Sequence, residues 1–358
     1  MLSYLRNYLI ENGFDGFFIT NLSNIKYLSN FSGSSAQILI TKEKNYFITD
    51  FRYKIYANEK IDKTNYEVII YNDYFNTMEE LLKPVKKLAV EGKYFTISAL
   101  NSFKEKFKDI EFIPTNNIIE NLRAVKSYEE INKIKKACYI AKNVFEEILN
   151  IIEPEKMTEK DLAIEMEYIA KKKYNVEKMA FETIVLTSYR SAMPHGRPSN
   201  QKILNNNPLL IDFSVVYEGY CCDITRMIWV GSNINKKFLE IYEIVNRTLE
   251  LVQERTKIGL KNKEVDSIAR DYLRSFGYDE NYFGHALGHS IGIDVHEMPA
   301  LSQKADEWIL QGNEVFTIEP GVYIENEFGI RIEDTVYLDK EKNGIINLTN
   351  ITREIIKI

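Results

Sequence analysis

Apolar residues recur along this chain with two different periods, and the change from one to the other divides it. Residues 1–13 show the spacing of an amphipathic helix that stops at Gly13. Short apolar runs follow at 14–20, 36–41, 46–49, 67–71 and 87–91, rich in Ile, Val, Phe and Tyr and separated by helical stretches. Runs of that length and content predict strands. Strands alternating with helices predict a compact α/β layer domain up to about residue 120. No residue of this half forms a recognisable catalytic group, and Asp50-Phe-Arg52-Tyr53 reads as a surface turn with an ion pair.

A helical period then takes over. Ser127-Tyr-Glu-Glu130 has the form of a capping box. Ile131, Ile134, Cys138, Ala141, Phe145 and Ile148 follow at about 3.6-residue spacing, with Pro154 beyond them. Thr158-Glu-Lys-Asp161 opens a second helix to about Tyr174, and further helices are expected over 236–255 and 263–276. Strand-like runs at 209–216, 220–230, 315–318 and 329–337 lie between and after them. Helices covering largely antiparallel strands make the expected class α+β, with domains 1–122 and 123–358.

The strand runs carry unexpected charge. Asp212 and Asp223 flank a break at Glu218-Gly219, and a two-residue hairpin there would set Asp212 opposite Thr225 and Asp223 opposite Ser214. Both aspartates would then share a face, close enough to converge on a pair of ions. The plainer alternative has one Asp capping the turn and the other paired with Arg226. Glu319 ends the run 315–318 and is followed by Pro320-Gly321. In 329–337, Ile330 and Ile332 face one way, so Arg331 and Glu333 face the other, either as an ion pair or as an arginine orienting metal-binding carboxylates.

Only four histidines occur, and three stand in His285-Ala-Leu-Gly-His289-Ser-Ile-Gly-Ile-Asp-Val-His296-Glu. His285 and His289 have zinc-helix spacing, but Gly284, Gly288 and Gly292 argue against a helix. A loop entering a strand over 290–296 is expected instead. Four carboxylates and an imidazole suit two divalent cations; the oxygen-rich set favours Mn²⁺ or Co²⁺, with Zn²⁺ admissible. Such a pair supports amide hydrolysis by an activated water.

Composition changes this picture little. The net charge of −6 offers no case for a nucleic-acid or anionic-membrane partner, and no apolar run is long enough to span a bilayer. Cys138, Cys221 and Cys222 are odd in number, two of them adjacent, and read as reduced thiols of a cytoplasmic protein. The N-terminus lacks the pattern of a signal peptide.

Taken together, His285-x-x-Gly-His289-x-Ile-Gly-x-x-Val-His296-Glu, the order Asp212, Asp223, Glu319, Glu333 and the segment Ser191-Ala-Met-Pro-His195-Gly resemble the pita-bread metallopeptidases, in their Xaa-Pro aminopeptidase and prolidase branch. Asn21-Leu-Ser-Asn-Ile-Lys-Tyr-Leu28 with Phe31-Ser-Gly-Ser34 resembles the creatinase-like N-terminal domain of that branch, so the likeness covers nearly the whole chain. The resemblance implies a pita-bread catalytic domain with a curved, largely antiparallel sheet covered by helices. It implies that Asp212 binds one metal, His289 with Glu319 the other, and that Asp223 and Glu333 bridge both. A metal-bridging hydroxide would attack the carbonyl before proline, with Glu319 as proton shuttle and His296 on the oxyanion. His195 and His285 would position substrate, Arg331 would brace the carboxylates, and Phe181 would contact the proline. Dimers or tetramers are implied, with proline-containing peptides as substrates.

Two departures stand out. Ala286 replaces a glycine, and Ala300 stands where some dipeptidases of the family carry an arginine for the dipeptide's carboxylate. The latter implies an aminopeptidase acting on longer peptides rather than a strict Xaa-Pro dipeptidase. A metal-free relative acting on a small guanidino compound and a binding-only member of the fold are the other readings. Retention of all five ligand positions speaks against both.

Overall fold

The computed structural model describes residues 1–358 and divides into two compact units, Met1–Arg123 and Ala124–Ile358. In the first, six strands form one sheet in the order Glu67–Tyr71, Asn45–Asp50, Gln37–Thr41, Gly16–Ile19, Lys87–Glu91 and Glu111–Thr115. The last of these, and the helix Ile97–Lys106 before it, had no distinct signal in the apolar pattern. Alternation explains the burial. Phe17, Ile19, Ile38, Ile40 and Phe47 pack on one face, while Phe18, Leu39, Ile48, Leu88 and Val90 pack on the other. Asp50 caps the turn Phe51–Tyr53 and binds the Arg52 guanidinium through both carboxylate oxygens.

The second unit opens with the helix Tyr128–Ile148. Its capping box is formed by Ser127 and Glu130, and its apolar stripe is buried from Ile131 to Ile148. Each such Ile or Phe contributes roughly 1.5–3 kcal/mol when fully buried. The helix Glu159–Tyr174 has a second capping box, between Thr158 and Asp161, and packs beside the first. The helices Lys236–Arg255 and Asn262–Ser275 cover a separate core. Between these helical layers lie a four-stranded and a five-stranded sheet, joined by a bridge from Thr225 to Glu333. All strand pairs here are antiparallel except that of Ile224–Val230 with Ile356–Lys357. The class is α+β.

The hairpin after Asp212 turns at Glu218 and Gly219, both with positive φ (46° and 76°), as a two-residue turn that follows strand twist requires. Its register pairs Tyr217 with Tyr220 and Asp212 with Thr225, as the spacing predicts. Two other expectations are corrected. The strand expected over 290–296 is instead Gly288–Ser290, followed by a looped segment and then Glu297–Leu301. The register slips between His289 and Ser290, and the Gly292 carbonyl bonds to Cys221 instead of continuing a ladder. The run 329–337 is likewise two strands, Phe328–Arg331 and Asp334–Asp339, because the first pairs with Gly321–Ile324 and the second with Val315–Ile318.

Candidate active site

Strand alternation aims both aspartates at one cavity of the second unit, of about 690 Å³. Asp212, Asp223, His285, His289, His296, Glu319, Arg331 and Glu333 all line it, with Phe181 and His195 toward the rim. Thus every residue singled out from the sequence is brought to one place. A groove of similar volume, about 760 Å³, on the first unit is lined by Arg6, Lys44 and Asn65 among others and contains no histidine. Size therefore does not mark the chemistry.

The donor atoms face one another closely. His289 Nε2 lies 3.7 Å from Asp223 Oδ2 and 3.5 Å from Glu319 Oε1. Ligand atoms of Asp223, His289 and Glu333 all fall within 4.8 Å of one another. Nδ1 of His289 lies 3.2 Å from the Ser290 carbonyl, which assigns the proton to Nδ1 and leaves the Nε2 lone pair toward the carboxylates. Asp212 gives one oxygen to Arg331; its other oxygen, Oδ1, is buried and has no hydrogen-bond partner.

Burial and crowding determine the protonation. Burial first, and then the neighbouring carboxylates, hold Asp223 and Glu333 well above the usual carboxylate range. Burial pushes Glu319 up to about 8. The same burial takes His289 and His285 down to about 3, helped by His296 and Arg331 respectively. Neutral imidazoles and mutually repelling acids form a donor set short of positive charge. Divalent cations fit this set: they would offset the carboxylates and give Oδ1 of Asp212 the partner it lacks.

Arg331 organises the wall. Its Nε donates to Thr225 Oγ1, which donates to Glu333, and its Nη1 donates to the Tyr323 hydroxyl. Tyr323 lies 2.9 Å from His285 Nε2, while His285 Nδ1 lies 2.8 Å from the Ala286 carbonyl. With the Tyr323 oxygen accepting from Arg331, its proton points to His285. Both His285 nitrogens are thereby engaged, and a substrate contact would require one to be released. Tyr323 and Thr225 were missed as site residues, because neither carries a charge that stands out in an apolar run.

Arg197 was also missed. It lines the rim beside His195, highly exposed, 3.4 Å from Glu182, which is also exposed. Ala300 lines the cavity and brings no charge. Of the two aspartate alternatives, neither the turn cap nor the Arg226 pair is found: Arg226 binds Asp334. Cys221, buried, directs its thiol to the Ile293 carbonyl, and all three cysteines are free.

Comparison with known proteins agrees with this arrangement. Residues 132–340 match the model of metallopeptidase family M24, and residues 1–125 that of the creatinase/prolidase N-terminal domain. An Xaa-Pro dipeptidase of Pyrococcus furiosus is 38% identical over 358 residues, covering 99% of both chains. A solved Xaa-Pro dipeptidase from Bacillus anthracis superposes with a TM-score of 0.94 at 36% identity, covering 100% of this chain and 99% of that one. The X-Pro aminopeptidase of Thermotoga maritima does so with 0.87 at 37%, covering 97% and 98%. A metal-ready cluster, a family match over its whole catalytic region and relatives alike from end to end lead to one conclusion: the chain is a peptidase of metallopeptidase family M24, of the pita-bread fold, preceded by a creatinase/prolidase N-terminal domain.

Proposed function

We propose that the chain removes the first residue from peptides whose second residue is proline, using two divalent ions held by Asp212, Asp223, His289, Glu319 and Glu333. The observation that carries this reading is the excess of buried carboxylate around His289, with Asp212 Oδ1 left without a partner. Divalent ions in an oxygen-rich set, Mn²⁺ or Co²⁺ before Zn²⁺, acidify water near neutral pH and polarise a carbonyl oxygen. Glu319 takes the proton of the attacking water and returns it to the leaving nitrogen, the part of a general base and then a general acid. His296, exposed on the cavity wall, donates to the developing oxyanion. Phe181 and His195 border the space for the proline and the chain beyond it, His285 lines the same wall beside Tyr323, and Arg331 braces the carboxylates. The three free thiols agree with a cytoplasmic enzyme, and we read it as a homodimer or tetramer from its family resemblance alone.

Hydrolysis of Xaa-Pro-Yaa and Xaa-Ala-Yaa peptides, after chelation and with each metal added back, tests the reading. Metal-dependent cleavage confined to the proline peptides is expected; equal cleavage of both, or activity that survives chelation, would reject it. A second reading, a strict Xaa-Pro dipeptidase, is favoured by Arg197. An exposed ion pair such as Arg197–Glu182 is worth little, so the guanidinium is available to a dipeptide's carboxylate at the rim. Cleavage of Xaa-Pro but not Xaa-Pro-Yaa, with the dipeptide's KM raised by Arg197→Ala, would replace the first reading by the second.

A further inference from the structure

A buried ion pair beside the cavity has no part in the chemistry above. Lys126 Nζ lies 3.2 Å from Glu297 Oε2, and the two side chains are 1% and 5% exposed. Lys126 comes from the segment that opens the second unit. That segment is pinned to the residues just ahead of the strand at 315–318 by a bridge between Val125 and Glu314 and by the bond from Lys126 N to the Asn313 carbonyl. Its ammonium also reaches the Ala124 carbonyl, at 3.4 Å.

Glu297 is the residue directly after His296. One of its oxygens faces Lys126 and the other accepts from the Asp294 backbone N–H at 3.1 Å. A Cβ at Gly292 would meet both carboxylate oxygens at 2.7 Å, so the glycine makes room for the carboxylate inside its own loop. The segment between Ile291 and His296 belongs to no strand. It is tied down by the Ile291 N–H on Val315, by the Gly292 and Ile293 carbonyls on the N–H and thiol of Cys221, and by the Glu297 carboxylate. The carboxylate lies next to His296, whose ring stands 4.3 Å from that of His289, and the Glu297 backbone pairs with Ser290 in the strand ladder.

We propose that Lys126 is a positioning residue, which by holding the Glu297 carboxylate sets the loop that carries His296 against His289. A carboxylate buried without its ammonium turns toward other partners, and in doing so carries the adjoining His296 backbone with it. His296 takes its place at the reacting carbonyl from the function proposed above.

The chain's four histidines make the test direct. In ¹H–¹³C spectra of histidine-labelled, metal-free protein, His296→Ala assigns the His296 signal. Lys126→Met is expected to shift or broaden that signal and leave the His195 signal in place. On an Xaa-Pro peptide it is expected to lower kcat by roughly 10–100-fold with KM and bound metal unchanged, the usual scale for a supporting group one shell out. Lys126→Arg restores both. Glu297→Asp keeps both charges but withdraws the carboxylate, so it is expected to move the His296 signal too, and it carries the test if Lys126→Met does not fold. A His296 signal unmoved in either folded variant would overturn the proposal, as would a kcat loss explained by lost metal. A wild-type protein that fails to cleave Xaa-Pro peptides would instead reject the functional reading, leaving the spectral test of the loop intact.

Discussion

Glu333 and Asp334 are consecutive, both buried, and each is tied to a buried arginine, yet they belong to opposite kinds of ion cluster. On the side of Asp334, the Arg226 guanidinium donates to that carboxylate and to the carbonyls of Thr225, Glu333, Ile351 and Thr352. Gln253 and Asn347 bind the other Asp334 oxygen. Both oxygens of Asp334 and every nitrogen of Arg226 are thereby bonded, and a second guanidinium, Arg353, stands 3.8 Å from the carboxylate. On the side of Glu333, a single arginine serves a set of acids, and one oxygen of Asp212 is left alone. The closed cluster belongs to the fold; the open one is poised to gain from cations, and in their absence it strains the fold.

Removing one acid from each cluster gives the largest contrast. Asp334→Ala is expected to destabilise the protein by roughly 3–5 kcal/mol, the cost of leaving a buried guanidinium unpaired. Asp223→Ala is expected to abolish metal binding and peptidase activity while raising the melting temperature of the metal-free protein, because a buried acid that burial and its neighbours hold back from ionising is gone. Thermal unfolding in chelator, with elemental analysis, reads both; a lower Tm for metal-free Asp223→Ala would show that the two clusters do not differ in kind.

Within the open cluster, His296→Ala is expected to reduce kcat by about 10²-fold with metal content intact, as loss of an oxyanion donor does. His289→Ala is expected to lose metal. Equal metal loss in both would mean the two histidines have been assigned the wrong way round. A smaller effect is expected from Thr225→Val, which removes the hydroxyl between Arg331 and Glu333. Metal affinity is expected to fall by roughly 10–100-fold, measured by competition with a chromogenic chelator, and an unchanged affinity would remove Thr225 from the site.

The smallest expected effect is one of pH. Acids whose pKa is raised by folding favour the fold most below the ordinary carboxylate pKa, about 4.3. They lose that contribution as pH rises through the folded value, about 8 for Glu319. Metal-free protein should therefore lose stability from pH 5 toward pH 8. Metal-loaded protein should keep it, so the gap in Tm widens with pH; a constant gap would show that the metal does not relieve this repulsion.

Much of this was legible beforehand, for identifiable reasons. The helix from Tyr128 announced itself by a capping box and a 3.6-residue stripe, and the Asp212–Asp223 hairpin by its turn and by alternation, which are local rules. The segment 291–296 misled because β-branched residues suggested a strand, whereas the Gly292 carbonyl is bound by Cys221 of another sheet and the Glu297 carboxylate by Lys126 and the Asp294 N–H. Lys126, Tyr323 and Arg197 gave no signal, since a lone lysine, tyrosine or arginine is ordinary until its surroundings are known.

By itself the sequence determined which residues could bear charge into apolar strands, and through the period of two it determined which of them share a face. Tertiary structure decided the rest: that Arg226 turns to Asp334 and not to Asp223, that His285 is held between Tyr323 and a carbonyl, and that Glu297 meets Lys126. Those choices depend on pairings between distant segments, which burial enforces and no local pattern encodes, because each partner is selected by the charge and hydrogen bonds the other leaves unsatisfied.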